Sequence, residues 1–388
     1  MILQFLAFDS LTGNQFSDYV VRQFSNPEMH SEFVAIGSLK NLPEKVYNLK
    51  RVRVVDPSSE AFESLLSSLA NYHAIVLHGL FYPWCERVLK SVPEKVKVAW
   101  MFWGGEIYGR KDLADRFLAP RTRFVYHFKQ IKDRLYGKQE TQYELPLNLY
   151  KRIDYCLTDM EEEYAFAKEY TGASRMQFHW YNYYSINETL GKLRDCQCAG
   201  SNVFLGNSAT IECNYFDVLP KLSQILPAKS KVFIPLSYGA GWVRNLVVKH
   251  GEHLFGKRVV MLTDFLPRDE YNELMLSCST MIQPHYRAQA QGNIITALWL
   301  GMRVYLSEKN FAYRYFKRIG AAVFSLEKDF SKDSFSVLPE ETVARNRTVM
   351  LQWYDRVAMR ERNLKLVDLL EGIDVQAARM SIGKSDEE

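Results

Sequence analysis

No stretch of this 388-residue chain approaches the roughly 20 consecutive apolar residues of a membrane-crossing helix. A membrane-spanning class is therefore not expected. The opening Met1–Ala7 is apolar, but it lacks a preceding basic region and meets Asp9 too early for a secretory signal. Cysteine is scarce. Cys85, Cys156, Cys196, Cys198, Cys213 and Cys278 form no CxxC pair and no regular framework, so neither a disulfide scaffold nor a zinc site is indicated. A reducing cytoplasm fits best. Charge of one sign is not in excess: the net charge is +4, without an arginine-rich stripe, which does not suggest nucleic-acid binding. GxxxxGK[ST], GxGxxG after a strand, and HExxH are all missing, which sets aside three common phosphate, dinucleotide and metal sites. No DxD is present to hold a nucleotide through a metal.

What is present is globular. The chain is 47% hydrophobic and 24% charged, and long enough for two domains of ordinary size. Apolar strand-like runs alternate with helix-like runs, which predicts α/β architecture with mostly parallel sheets. Strands are expected at Ile2–Phe8, Glu32–Ile36, Val52–Val55, Ala74–Leu77, Val96–Phe102 and Ile153–Thr158. After a polar stretch of weak periodicity the pattern restarts, at Val203–Leu205, Lys231–Pro235, Val259–Leu262, Thr280–Gln283 and Arg303–Leu306. The expected organisation is a first domain over 1–185, a linker over 186–201 and a second domain over 202–338. Helices over 339–375 are expected to pack back on the first domain, and 376–388 reads as a disordered tail.

The segment Pro284–Asn293 concentrates the chemistry. It follows a strand and leads into a helix read over Ile294–Leu300, placing Arg287, Gln289, Gln291, Gly292 and Asn293 near that helix's start. Free N–H groups there suit a phosphate, and arginine adds a planar, always-charged fork. Gly206-Asn207-Ser208 also lies between a strand and a helix. Its glycine lets backbone approach a ligand, and Asn207 or Ser208 either donates to phosphate or caps the helix. Tyr238, Phe265 and Leu266 follow strands, as a wall for a flat base or as ordinary turns. Glu308 stands where an acid accepts from sugar hydroxyls, or is simply solvated.

In the first half, His78-Gly79 and Trp103-Gly104-Gly105-Glu106 each follow a strand. Desolvation beside Trp103 would raise the Glu106 pKa and suit a general base, with a structural carboxylate as the plain alternative. His78 reads as a satisfied core histidine or as a second candidate base. Asp9 closes the first strand and joins Trp103, Gly104 and Gly105 as an acceptor-side candidate. Residues 107–152 interleave basic and aromatic side chains, which fits either a solvated face or a face resting on an anionic membrane.

These residues resemble glycosyltransferase family 56, the transferases of 4-acetamido-4,6-dideoxygalactose from its TDP-sugar to a lipid-linked acceptor, also described as 4-alpha-L-fucosyltransferases. The matches are His78-Gly79-x-Phe81-x-Pro83, Trp100-x-x-Trp103-Gly104-x-Glu106-x-Tyr108, Gly206-Asn207-Ser208, Pro235 with Tyr238, Asp269-x-Tyr271, and Arg287-x-Gln289 with Gly292 and Gly301. They keep their order over residues 1–330. The family commonly has Asp at the Glu106 position, and its Gln-Gln pair is here Gln289-Ala290. The resemblance implies a GT-B fold of two Rossmann-like domains facing a cleft. It implies a nucleotide-sugar donor in the second half, a lipid-diphosphate-linked glycan acceptor in the first, and bacterial surface polysaccharide as product. The sugar is of the fucose or 4-acetamidofucose type. The expectation is a metal-independent enzyme without a cofactor, cytoplasmic or peripheral on the membrane's inner face. A GT-B sugar-nucleotide epimerase and a non-catalytic nucleotide-sugar- or glycan-binding module are the alternatives.

Overall fold

The computed structural model describes residues 1–7, 16–25, 27–37, 52–137 and 143–372. Asp9 and the tail 376–388 lie outside these residues. The elements run β1 (Ile2–Ala7), α1 (Phe16–Phe24), β2 (Ser31–Ile36), β3 (Val52–Val55), α2 (Glu60–Ser68), β4 (Ala74–His78), α3 (Pro83–Ser91), β5 (Lys97–Met101), α4 (Gly105–Tyr108), α5 (Pro120–Leu135), β6 (Tyr155–Thr158), α6 (Glu161–Thr171) and β7 (Gln177–Trp180). They continue with α7 (Ile186–Leu190), β8 (Asn202–Leu205), α8 (Tyr215–Ile225), β9 (Val232–Pro235), α9 (Gly241–Phe255), β10 (Val259–Leu262), α10 (Arg268–Leu276), β11 (Cys278–Gln283), α11 (Gln291–Leu300), β12 (Arg303–Leu306), α12 (Phe311–Arg318), β13 (Val323–Ser325), α13 (Glu340–Tyr354) and α14 (Arg356–Glu371).

Two compact units result, one of Met1–Ile107, Gln142–Tyr184 and Arg356–Glu388, the other of Tyr108–Thr141 and Ser185–Asp355. The first holds a parallel sheet in the order β3-β2-β1-β4-β5-β6-β7. Its inner strands read as unbroken apolar runs because both faces are covered, and β4 is buried at every residue. Ile2, Leu6, Val76, Ala99 and Met101 meet Leu366, Val367 and Leu370 of α14 in one core.

The second unit's sheet is also parallel, ordered β10-β9-β8-β11-β12-β13. Each order reverses once, between β1 and β4 and between β8 and β11. Ligands of such sheets bind beyond the carboxyl ends of the strands at that reversal. Strand β11 is unusually polar for a central strand, yet wholly buried. Its side chains find partners: Ser279 Oγ donates to Phe335 O at 2.8 Å, Thr280 Oγ1 to Ser334 O at 2.6 Å, and Gln283 Nε2 to Gly206 O at 3.1 Å.

The structure departs from the sequence reading in several places. Strands β7 and β13 were not anticipated; both are short and lie at sheet edges, where an apolar run is not required. Segment 186–201 is not a bare linker. Ser185 and Glu188 form a capping box that starts α7, and Ile186, Leu190 and Leu193 are buried. Residues 108–141, assigned by sequence to the first domain, belong to the second unit. Asp217 explains this: its carboxylate accepts from Arg121 N (2.9 Å), Thr122 N (2.8 Å) and Thr122 Oγ1 (2.7 Å), satisfying the free donors that open α5. The helices expected over 339–375 divide between the units. Helix α13 packs on α11 in the second, and α14 packs on β1 in the first.

Candidate functional site

In the second unit the loops after β8 and β11 meet at the sheet reversal. Gly206 leaves β8 at φ +69°, and a Cβ there would sit 2.3 Å from Tyr215 Oη, so the turn requires glycine. Tyr215 Oη donates to Ser208 O at 2.9 Å and fixes the loop from below. Helix α8 begins only at Tyr215, with Asn214 at its N-cap. Asn207 and Ser208 therefore do not cap it, which resolves that alternative. They belong instead to a polar cluster. Asn207 Nδ2 donates to Tyr238 Oη at 2.7 Å, and Gln289 Nε2 lies 3.0 Å from Asn207 Oδ1, 3.1 Å from Ser208 Oγ and 3.3 Å from Thr210 Oγ1. Gln289 Oε1 is buried without a hydrogen bond among the described residues.

Arg287 stands beside this cluster. Its side chain is 13% exposed, and its Nε lies 3.7 Å from Glu212 Oε1, too far for a hydrogen bond. The guanidinium sits 5.7 Å from the Tyr108 ring centroid. Nε is buried and donates no hydrogen bond among the described residues. Its ion pair with Glu212 is thus a loose one, and the guanidinium keeps N–H donors that can turn to an anion.

Ala290 adopts a left-handed conformation, φ 61°, unusual outside glycine, and turns the chain so that α11 starts at Gln291 rather than Ile294. Gln291, Gly292 and Asn293 thus form the helix's first turn. Gln291 Nε2 donates to Tyr354 Oη at 3.3 Å and Asn293 Nδ2 to Tyr271 Oη at 2.8 Å, which orients both amides. A Cβ on Gly292 would meet nothing within 4 Å, so the helix start faces open space.

Beneath the two loops lies a pair that spacing did not reveal. His285 is fully buried, with Nε2 3.1 Å from Cys213 Sγ. Burial pushes the Cys213 thiol up, but His285 outweighs it and holds the thiol at about 6. With Thr210, Glu212 and Gln283, these residues were missed because their partners lie about seventy residues or more away in sequence, as Cys213 and His285 do, and local spacing carries no sign of such pairs.

Other candidates lie further out. Tyr238 is exposed apart from its hydroxyl contact with Asn207. Phe265 is exposed and Leu266 half-buried on the loop after β10, and no described contact ties either to the cluster. Glu308, beyond β12, pairs with Lys328 Nζ at 2.9 Å, and that contact holds its carboxyl below the usual range. Lys309 reaches the Tyr286 ring at 4.4 Å and joins the loops after β12 and β11.

In the first unit, His78 ends β4. Its Nε2 lies 2.9 Å from Gln4 Oε1, while Gln4 Nε2 donates to Ser31 Oγ at 3.0 Å, so Nε2 carries the proton toward Gln4. Burial drops its pKa to about 3. A histidine so held is neutral in water and a weak base, which argues against a proton-accepting role. Glu106 is also buried. Its Oε1 accepts from Trp100 Nε1 at 2.9 Å and from Trp103 N at 3.2 Å, bracing the turn that displays Trp103. Trp103 is exposed, with Nε1 on Tyr183 Oη at 2.8 Å. The glycines serve packing: Cβ atoms on Gly79 and Gly105 would lie 2.8 Å and 3.0 Å from the Phe81 ring, and Gly104 has φ +87°.

No family model matches the chain, and no curated protein matches its sequence. Solved structures do match along nearly the whole length. A glycosyltransferase from Rickettsia africae ESF-5 has a TM-score of 0.60 at 10% identity, covering 95% of this chain and 98% of its own. Anabaena HepE, solved with UDP-glucose, has a TM-score of 0.56 at 12% identity, covering 95% and 99%. The sucrose-phosphate synthase of Thermosynechococcus elongatus has a TM-score of 0.55 at 11% identity, covering 100% and 99%. The chain thus has the GT-B fold, two Rossmann-like units with parallel sheets.

Proposed function

We propose that this protein is a glycosyltransferase that takes its sugar from a nucleoside-diphosphate donor held by the second unit. The observation that carries the reading is Arg287: a nearly buried guanidinium, without a hydrogen bond among the described residues, beside the open start of α11. Its fork and the helix N–H groups match the two phosphates of such a donor. HepE, of like fold, was solved with UDP-glucose, which supports the donor class. The Gly206–Ser208 turn approaches the phosphates, Gln289, Gln291 and Asn293 orient phosphate or sugar, and Tyr238, Phe265 and Leu266 flank the base. Glu308 takes a ribose or sugar hydroxyl.

The sugar is a deoxy- or acetamidohexose of the fucose type carried on TDP, and the acceptor is a lipid-diphosphate-linked glycan of a bacterial surface polysaccharide. These finer assignments rest on the order of motifs from His78-Gly79 to Gly301. The bond from the sugar's anomeric carbon to the diphosphate breaks with its electron pair on the leaving phosphate, and the acceptor oxygen forms the new bond. Arg287 and the α11 start stabilise the departing charge, so no metal is required; fixed electrostatics of this kind is usually the largest catalytic term. In a direct displacement Glu106 takes the acceptor proton, and Trp103, Gly104 and Gly105 seat the acceptor with Asp9.

A retaining transfer is the second reading, and the hydrogen bonds from Trp100 and Trp103 to Glu106 favour it, since they suit a carboxylate that shapes the acceptor turn. The test is a panel of TDP-, UDP- and GDP-sugars, with and without lipid-diphosphate acceptors, read by nucleotide release. Release that depends on acceptor supports transfer. Epimerised sugar nucleotide without release marks an epimerase, and binding without turnover marks a binding module. A Glu106→Gln variant with normal turnover removes the base assignment.

A further inference from the structure

Helix α5 is amphipathic the wrong way round. Phe124, Phe128, Ile131 and Leu135 are 74%, 66%, 57% and 80% exposed. Their spacing of four, three and four residues places them within an arc of roughly 60° on one face. A surface helix normally buries such a stripe. Here the docked side is polar instead: Thr122 is buried, and Lys129 lies over the Trp242 ring at 5.4 Å. Phe124 also walls an apolar cavity of about 520 Å³ with Phe216, Pro220 and His250, extending the apolar surface onto α8 and α9.

Charge frames the stripe. By helical position Arg121 and Lys132 fall along one flank, and Arg123 and Arg134 along the other. All four are exposed. The helix carries five basic residues and one acid, Asp133, a net +4 equal to that of the whole chain. Two copies meeting face to face through α5 would set these charges against each other, which disfavours a homodimer.

We propose that α5 docks this protein onto an anionic lipid leaflet. It lies flat, its apolar stripe in the boundary between headgroups and acyl chains, with its two basic rows against lipid phosphates. Docking does not depend on the identity of the donor or on the reaction.

The test sediments the full chain with vesicles of phosphatidylcholine alone or mixed with phosphatidylglycerol. Binding is expected to be at least about tenfold tighter to the anionic vesicles and to weaken with salt. Arg121→Gln with Lys132→Gln should weaken it about 25-fold, at about fivefold per charge. Phe128→Ser with Leu135→Ser should cost on the order of tenfold per residue, with thermal midpoints unchanged because both positions are exposed. Absent sedimentation, or equal binding to neutral vesicles and by the charge variant, overturns the proposal. So does a wild-type dimer in light scattering that the apolar variant turns into a monomer. Nucleotide affinity measured on the same preparations separates failure of docking from failure of the proposed donor site.

Discussion

Replacing Arg287 by alanine should weaken nucleotide binding without harming the fold. The guanidinium is nearly buried, is not hydrogen-bonded to Glu212 at 3.7 Å, and leaves a buried Nε unsatisfied. Two charge-assisted hydrogen bonds to phosphate, at about 1.5 kcal/mol each at the lower end, total about 3 kcal/mol. That is on the order of a hundredfold in Kd. Arg287→Lys keeps the charge but not the fork, and should recover only part of this. The empty protein should respond little. Relief of the buried, unsatisfied Nε is offset by loss of the loose Glu212 ion pair and the Tyr108 ring contact, so the midpoint of Arg287→Ala should stay within a few degrees. Calorimetric titration with TDP and UDP reads the first effect, and thermal melting without nucleotide the second. Unchanged affinity, or a midpoint lowered by many degrees, would refute the reasoning, the second because it would make the Glu212 contact the main task of Arg287.

Gly292→Ala should fold normally, since a Cβ there meets nothing within 4 Å, yet the methyl would occupy the open helix start and lower donor affinity by about tenfold or more. Equal affinity in the two proteins would place the donor elsewhere. Gly206→Ala should cost about 2–4 kcal/mol in urea unfolding, because its Cβ would lie 2.3 Å from Tyr215 Oη at a φ of +69°; a loss below about 0.5 kcal/mol contradicts that close approach. Folded His78 titrates near 3 because it is buried, whereas an unfolded imidazole titrates near about 6.5. Between these values the unfolded chain binds more protons, so stability falls as pH falls, by at most about 1.4 kcal/mol per pH unit. His78→Gln should flatten that slope between pH 6.5 and 4, and parallel slopes for the two proteins would show that His78 is not held neutral.

Much of the fold could be read from the sequence because both sheets are parallel. Covered on both faces, strands such as Ala74–His78 are unbroken apolar runs. The edge strands β7 and β13 lack that signature, whereas the helical spacing of Phe124, Phe128, Ile131 and Leu135 in α5 was legible and was read only as part of a basic, aromatic stretch. Capping box Ser185-x-x-Glu188 was legible but was outweighed by the Asn and Gly residues around it. At the site, the crowding of Arg287, Gln289 and Gly292 stood out locally. The bonds that join Gln289 to Asn207 and Ser208 span about eighty residues, and the Cys213–His285 pair spans 72, so only tertiary structure reveals them. Family resemblance placed Tyr271 among the matches, but not as the group that orients Asn293.

The chain passes between its two units at four places, near residues 107, 141, 184 and 355. A cut at the apparent midpoint therefore does not yield two foldable halves. A fragment ending near 184 loses α14 from its core and separates α5 from Asp217. Chimeras meant to exchange donor preference must carry 108–141 together with 185–355 and leave 356–371 with the recipient. Any swap that follows this rule transfers α5 along with the loops after β8 and β11.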